Sequence, residues 1–167
     1  MKILVVSDTH KNFRALKDVV DKVDFDILIH LGDGEREFDD IQSLFPEKAM
    51  IYVAGNCDFD RHETVHVAKI GDVRIFCCHG HTLGVNSGIE HLAVTAKQNM
   101  CNIALYGHTH IHRTEVIGGV FVMNPGSLDS PRGGNKPSYG IITIEPNGEI
   151  KMNIVEVAKK QYENDLS

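Results

Sequence analysis

The sequence lacks a basic run or stripe, and its 17 Lys and Arg residues are outnumbered by 23 Asp and Glu, for a formal net charge of -6. Proteins with general affinity for nucleic acid or for anionic membranes carry concentrated positive charge, so this composition argues against both kinds of partner. A phosphate substrate is still compatible with the acidic chain, because bound metal ions can reverse the sign of the charge locally.

Long apolar runs are also missing. No stretch approaches the ~20 apolar residues of a membrane span. The N-terminal apolar run ends at Ser7-Asp8, too soon for the roughly 7–15-residue core of a signal peptide. The four cysteines form no CxxC pair, and a chain of this size needs no disulfide staples. We therefore expect reduced thiols and a cytoplasmic protein.

Apolar periodicity in the first third of the chain alternates between strand and helix. It predicts buried strands at 2–7, 26–31 and 49–54, a helix over 12–23, and a shorter helix marked by Phe38, Ile41, Leu44 and Phe45. Strands that alternate with helices indicate βαβ units and a parallel sheet.

Hairpin signals dominate the rest of the chain. The elements predicted there are a hairpin of 64–70 with 73–78 around Gly71-Asp72, a helix at 88–100, a strand at 102–106, two strands separated by Gly118-Gly119, and a hairpin of 139–145 with 149–156. The polar tail, 158–167, is expected to be helical or frayed. We predict one α/β domain over residues 1–167, with a second sheet that is largely antiparallel.

Histidine is unusually abundant, at ten of 167 residues. It is the commonest metal ligand and a frequent acid–base group, so the composition by itself points toward a metal or catalytic site.

Five short polar motifs follow predicted strands, and each carries Asp, His or Asn. They are Asp8-Thr9-His10, Gly32-Asp33, Gly55-Asn56-Cys57-Asp58, His79-Gly80-His81 and Gly107-His108-Thr109-His110. Ligands of open α/β sheets bind beyond the carboxyl ends of the strands, so the motifs are expected to converge on one pocket. A single motif of this kind is more often a turn or a cap. The ordered set of five is what indicates a shared metal site.

The chemistry of the candidate ligands suits two transition-metal ions. Carboxylate, imidazole and amide carbonyl together suit Mn, Fe, Ni or Zn better than Ca alone. Seven candidate ligands are too many for one tetrahedral site and about right for two open ones. A carboxylate with two oxygens is an economical bridge between the ions.

The ordered set resembles the calcineurin-like metallophosphoesterases. The short chain, the Cys in GNCD and the segment Asn124-Pro125-Gly126-Ser127 are similar to the small YfcE-type phosphodiesterase subgroup. The resemblance implies a four-layer αββα sandwich with two mixed β-sheets. It also implies the metal ligands: Asp8, His10 and His110 for one ion, Asn56, His79 and His108 for the other, and Asp33 as the bridge. The neighbouring His30, His81 and His112 do not match ligand positions, and we expect them to pack or to hydrogen-bond.

The activity implied by the resemblance is metal-dependent hydrolysis of a small-molecule phosphate ester, with a metal-bridging hydroxide as the nucleophile. Two divalent ions per chain are expected, with manganese as the first choice and nickel, iron or zinc as alternatives. Asn56, Cys57 and His79 are the candidate catalytic residues. Asn56 and Arg132 are the candidate contacts to the substrate phosphate.

Cys57 departs from the wider family, in which many members have a histidine at this position that is thought to protonate the leaving group. A thiol with an ordinary pKa near 8.5 is a weaker acid at pH 7 than imidazolium. The residue is either a small packing residue or leaves room for a second ester group. Both interpretations favour diesters with good leaving groups.

Other functions on the same fold stay open. A retromer subunit with this fold acts mainly through protein contacts and has lost the metal chemistry, whereas this chain retains all seven candidate ligands. A phosphatase or a nuclease could use the same centre, although no basic groove is visible. The sequence leaves homo-oligomerisation undecided.

Overall fold

The computed structural model describes residues 1–158, which contain ten strands, three α-helices and one 3₁₀ turn at His81–Leu83. The strands are Lys2–Val6 (β1), Ile27–His30 (β2), Ala49–Tyr52 (β3), Val65–Ile70 (β4), Val73–Cys78 (β5), Ile103–Leu105 (β6), Arg113–Ile117 (β7), Val120–Asn124 (β8), Ser138–Ile144 (β9) and Ile150–Glu156 (β10). The helices are Phe13–Lys22 (α1), Glu35–Leu44 (α2) and Glu90–Gln98 (α3).

The strands form two five-stranded mixed sheets. The first has the order β10-β9-β1-β2-β3, in which β1, β2 and β3 are parallel, β9 is antiparallel to β1, and β10 is antiparallel to β9. The second has the order β4-β5-β6-β8-β7, in which β5, β6 and β8 are parallel and the edge strands β4 and β7 are antiparallel to their neighbours. The prediction of a largely antiparallel second sheet was wrong, because α3 carries the chain across from β5 to a parallel position at β6.

The core explains why β1 is apolar along its whole length. Side chains alternate between the two faces of a strand. Ile3 and Val5 face the second sheet, in a cluster with residues of β5 and β6, whereas Leu4 and Val6 face α1 and α2. A third cluster packs α3 on the outer face of the second sheet. The layers therefore run helix, sheet, sheet, helix, which confirms the predicted αββα sandwich.

All three predicted helices differ from the structure. The helix predicted over 12–23 is one residue shorter at each end, at Phe13–Lys22. The second helix is not shorter than the first, since both α1 and α2 have 10 residues. Its first turn is polar and carries Glu35 and Glu37, so the apolar pattern alone did not reveal it. The helix predicted over 88–100 is shorter, at Glu90–Gln98.

The predicted hairpins are confirmed. Ile70 pairs with Val73 across Gly71-Asp72, and Ile144 pairs with Ile150 in the last hairpin. The two strands predicted on either side of Gly118-Gly119 also form a hairpin, in which Ile117 pairs with Val120. Of the predicted tail, residues 159–167 lie outside the described part of the chain, and the single domain over 1–167 stays a prediction. Within residues 1–158 no helix has both the length and the apolar character needed to cross a membrane.

Candidate metal centre

The five motifs follow β1, β2, β3, β5 and β6 and meet where these strands end. The Asp8 Oδ1 atom lies 3.1 Å from His110 Nε2, 3.6 Å from His10 Nε2 and 3.8 Å from His79 Nε2. The Asp33 Oδ2 atom lies 3.3 Å from His79 Nε2 and 3.8 Å from His10 Nε2. Ligands from both sheets are thus gathered around two buried carboxylates.

His108 joins this group from the side of the second sheet. Its Nδ1 lies 3.3 Å from His79 Nε2, and its backbone N–H donates to Asp8 Oδ2 at 3.0 Å. Asn56, the remaining predicted ligand, is exposed, and its amide donates to Cys57 Sγ at 3.6 Å. The structure therefore brings six of the seven predicted ligands into mutual contact and places the seventh on the adjoining turn.

The donor set fits a cation. Within the described chain, the buried Asp8 Oδ1 has no hydrogen-bond partner, although three imidazole nitrogens surround it. His79 and His110 each place Nδ1 2.7 Å from a backbone carbonyl oxygen, of Leu31 and Ser130 respectively. A proton on Nδ1 leaves the Nε2 lone pair of each neutral ring directed at the carboxylates. Lone pairs that converge on a buried carboxylate are stabilised by a metal ion between them.

The pKa shifts of these carboxylates and imidazoles also indicate that positive charge is favoured at the centre. Burial opposes the ionisation of Asp8 and Asp33, but the neighbouring imidazoles outweigh it, and the pKa of both carboxyls lies below its usual value. Contact with Asp8 raises the pKa of His10. Burial alone would lower the pKa of His79, yet its hydrogen bond to Asp33 and the two carboxylate charges leave that pKa raised. Without metal, the two carboxylates favour the protonated forms of His10 and His79 more than water does.

Backbone strain is concentrated at the same residues. Of the seven non-glycine residues with positive φ among residues 1–158, five are candidate ligands with φ from 40° to 67°: Asp8, His10, Asp33, His108 and His110. This left-handed region is unfavourable for residues with a Cβ, so it persists only where the surrounding structure enforces it. Nothing in the residue types revealed this feature in advance.

Glycines beside the ligands are required by close packing. A Cβ at Gly107 would lie 2.0 Å from Ser7 Oγ and 2.8 Å from Asp8 Oδ2. A Cβ at Gly55 would lie 2.1 Å from Asp33 Oδ1. The absence of a side chain therefore lets two backbone turns approach the two carboxylates, as the motifs predicted.

Asp58 is a supporting residue to which the sequence interpretation assigned no role. Its carboxylate accepts five hydrogen bonds of 2.6–3.3 Å, from the backbone N–H groups of Asp33, Gly34, Glu35 and Gly55 and from the Tyr52 hydroxyl. It thereby joins the second and third motifs and satisfies N–H groups at the start of α2. Its position inside the GNCD motif is the sequence feature from which this role could have been predicted.

A buried chain of hydrogen bonds positions the first motif. The Gly32 N–H donates to His30 Nδ1 at 3.1 Å, so the proton of the neutral ring sits on Nε2 and is donated to Thr9 Oγ1 at 3.0 Å. Thr9 in turn donates to Glu37 at 2.6 Å. Burial lowers the pKa of His30 to about 4, which keeps the ring neutral. His30 is therefore a positioning residue, as expected.

The Asn124–Ser127 segment ties together the first and last motifs. The Ser127 hydroxyl donates to the carbonyl of Asp8 at 2.7 Å. The Asn124 amide donates to the carbonyl of Gly107 at 2.9 Å and to Thr109 Oγ1 at 3.0 Å. These contacts give the segment a structural role that the sequence had only indicated by resemblance.

Cys57 lies at the edge of the centre and is not a packing residue, because its side chain is exposed. Its Sγ is within 4.8 Å of ligand atoms of His10 and Asp33, and its N–H donates to Asp33 Oδ1 at 2.9 Å. Partial burial, followed by the charge of Asp33, raises the pKa of the thiol. Arg132 is exposed and donates its backbone N–H to the His110 carbonyl at 2.9 Å, and its contact with phosphate stays a prediction.

Residues 1–147 match the calcineurin-like phosphoesterase superfamily domain. The chain belongs to this superfamily. This phosphoesterase is 32% identical over 151 residues to the probable metallophosphoesterase YsnB of Bacillus subtilis, covering 87% of this chain and 85% of the relative. It is 32% identical over 113 residues to the phosphodiesterase YfcE of Escherichia coli, covering 62% of this chain and 58% of the relative. The resemblance drawn from the motifs is confirmed.

Solved structures show the same architecture. The phosphoesterase is similar to a predicted phosphoesterase of Streptococcus pneumoniae, with a TM-score of 0.81, 28% identity, and coverage of 95% of this chain and 92% of that one. Vps29 of Entamoeba histolytica has a TM-score of 0.72 at 23% identity, covering 93% and 98%, a likeness that shows the fold alone. Membership of the superfamily implies divalent metal ions and phosphate-ester substrates.

Proposed function

We propose that this phosphoesterase is a dinuclear metal-dependent phosphodiesterase that acts on a small-molecule ester. One observation carries the proposal: a buried carboxylate oxygen, Asp8 Oδ1, has no hydrogen-bond partner among the described residues and faces three imidazole nitrogens. Burying a charge without compensation is costly, and a metal ion at this position removes the cost.

The geometry supports the two predicted ligand sets and their bridge. Asp33 Oδ2 lies within 3.8 Å of His10, from the first set, and of His79, from the second. Its other oxygen accepts the Cys57 N–H, which fixes the carboxylate between the two sets. Asp8 Oδ1 also lies within 3.8 Å of ligands from both sets. We assign Asp33 as the bridge on the contact of its second oxygen together with the family resemblance. The remaining ligands are Asp8, His10 and His110 for one ion and Asn56, His79 and His108 for the other.

Two divalent ions, when bound, would supply Lewis-acid activation of water and of the phosphoryl oxygens. With the charges of Asp8 and Asp33 subtracted from two dications, the centre is left with a charge of about +2 and attracts an anionic ester even though the chain is acidic. We assign the exposed Asn56 amide as a donor to a phosphate oxygen of the substrate. The mixed oxygen and nitrogen donors suit manganese, our first choice, and also nickel, iron or zinc. The cytoplasmic location stays a prediction.

Two features favour diesters and catalysis over the alternatives. Cys57 supplies no imidazole for protonating a poor leaving group, which disfavours alkyl monoesters. Five candidate ligands are held in strained left-handed conformations, which the fold must enforce against their own preference. Their retention supports a working metal centre.

The test is metal-stripped protein reconstituted in turn with Mn²⁺, Ni²⁺, Zn²⁺ and Mg²⁺ and assayed on a panel of phosphate monoesters and diesters. We expect about two metal equivalents per chain by elemental analysis and metal-dependent hydrolysis that is fastest on diesters. Asp8→Asn, which removes the charge of the unpartnered carboxylate, should bind less metal. No bound metal together with no metal-dependent hydrolysis would overturn the proposal.

A further inference from the structure

A cavity of about 210 Å³ adjoins the candidate metal centre. Three of its lining residues, His10, Asp33 and Cys57, belong to the edge of that centre. The others include Phe59 and the cationic residues Lys11 and Arg36. We name this cavity the ester pocket. A phosphate ester bound at the metal centre would extend one of its ester groups toward these side chains.

Phe59 is exposed although its side chain is apolar. It is 60% accessible and is the one aromatic ring among the large, exposed hydrophobic residues of the described chain. Its backbone is held from both sides, because the preceding Asp58 carboxylate accepts five hydrogen bonds and the Phe59 carbonyl accepts the Arg61 N–H at 2.8 Å. An exposed aromatic ring on a held backbone beside the candidate metal centre suits a stacking surface.

Both acidic and basic side chains line the ester pocket. Asp58 is saturated by its five donors, Glu37 accepts from Thr9 and from the Lys11 N–H, and Glu35 pairs with Arg61 at 3.0 Å. By contrast, within residues 1–158 neither the Lys11 ammonium nor the Arg36 guanidinium forms a hydrogen bond or ion pair, and both residues are exposed. Lys11 and Arg36 therefore offer the pocket two cationic side chains that an anionic ester can contact.

We propose that the ester pocket binds a flat aromatic ring carried by one arm of the phosphodiester, stacked on Phe59. Lys11 and Arg36 attract the negative charge of the ester. The substrate class is thus a diester with an aryl or nucleobase arm rather than a simple alkyl diester. This inference rests on the proposed phosphodiesterase function. Cys57 lines the same pocket, and its side chain occupies less space there than a histidine would.

The test measures binding by calorimetry on the manganese-reconstituted full chain, so that it does not depend on turnover. Phenylphosphonate is compared with methylphosphonate, at a pH where both are dianions, and uridine 5′-monophosphate is compared with ribose 5-phosphate. We expect the aromatic member of at least one pair to bind about tenfold tighter, which corresponds to about 1.4 kcal/mol and is the lower part of the range for stacking. The pair with the larger difference identifies an aryl or a nucleobase arm.

Phe59→Ala should reduce the tenfold difference to less than twofold, whereas Phe59→Tyr should retain it. Leu44→Ala is the matched control, because Leu44 is also a largely exposed apolar residue but does not line the pocket. A difference that is absent in the wild type, or unchanged in Phe59→Ala, overturns the proposal even if diesters are hydrolysed. A tenfold difference that depends on Phe59, without hydrolysis of any diester, supports the pocket and contradicts the proposed function.

Discussion

Replacement of the buried His30 should change how the stability of the metal-free protein depends on pH. His30 is fully buried and neutral, and its surroundings lower its pKa from 6.5 to about 4. Between these two values the unfolded chain binds a proton that the folded chain does not. The free energy of unfolding therefore decreases as the pH falls through 6.5 toward 4. Below pH 4, His30 causes no further change in the free energy of unfolding.

The size of the effect follows from the gap between the two pKa values. A gap of about 2.5 pH units corresponds to about 3.4 kcal/mol in total, and about 2 kcal/mol of it is lost between pH 7 and pH 5. His30→Asn retains an acceptor for the Gly32 N–H but has no imidazole. The variant should be less stable at pH 7, because the hydrogen bond to Thr9 is lost, and its stability should fall about 2 kcal/mol less than that of the wild type on going to pH 5.

Urea denaturation at several pH values, in buffer with a chelator, measures this difference directly. His10 and His79 titrate in both proteins, so the comparison isolates His30. His91→Asn is the matched control, since the same substitution is made there at an exposed position. If His30→Asn retains the full wild-type pH dependence, the reasoning that His30 is buried and neutral is refuted.

Three further predictions concern the metal centre. Asp33→Asn should lower kcat/KM by more than the ~10–100-fold that is typical of losing a supporting partner. The loss should also exceed that caused by His81→Ala, because Asp33 is the assigned bridge between the two predicted ligand sets. The reverse order in steady-state assays would contradict the bridge assignment. Cys57→His should raise the rate of hydrolysis of esters with poor leaving groups, by up to the ~10²–10⁴-fold that a positioned acid contributes. It should also flatten the dependence of rate on leaving-group pKa. An equally shallow dependence in the wild type would show that another residue is already the acid. Gly107→Ala should reduce the bound metal and the thermal stability, because its Cβ would lie 2.0 Å from Ser7 Oγ. The change Gly118→Ala, where no atom lies within 4 Å of the new Cβ, should leave the metal content unaltered.

The local elements and the candidate ligands were predictable because their signals are local. The apolar period distinguishes strand from helix, and the polar motifs stand directly after the strands that carry them. Glycine beside a ligand could be predicted for the same reason, because a tight turn and a close backbone approach need a residue without a side chain. The order of the five motifs then pointed to the superfamily before any tertiary contact was known.

Tertiary structure alone decided which strands pair and what supports the ligands. The β9–β10 hairpin joins the first sheet, and β6 lies parallel to β5, because each strand pairs where its apolar faces become buried, and periodicity contains no information on the partner. Asp58 and His30 act through hydrogen bonds to residues 21 to 25 positions away, which no local pattern records. The left-handed backbone of Asp8 and His110 is likewise a property of the whole centre. Contacts from both sheets hold these residues in a conformation that their own sequence disfavours.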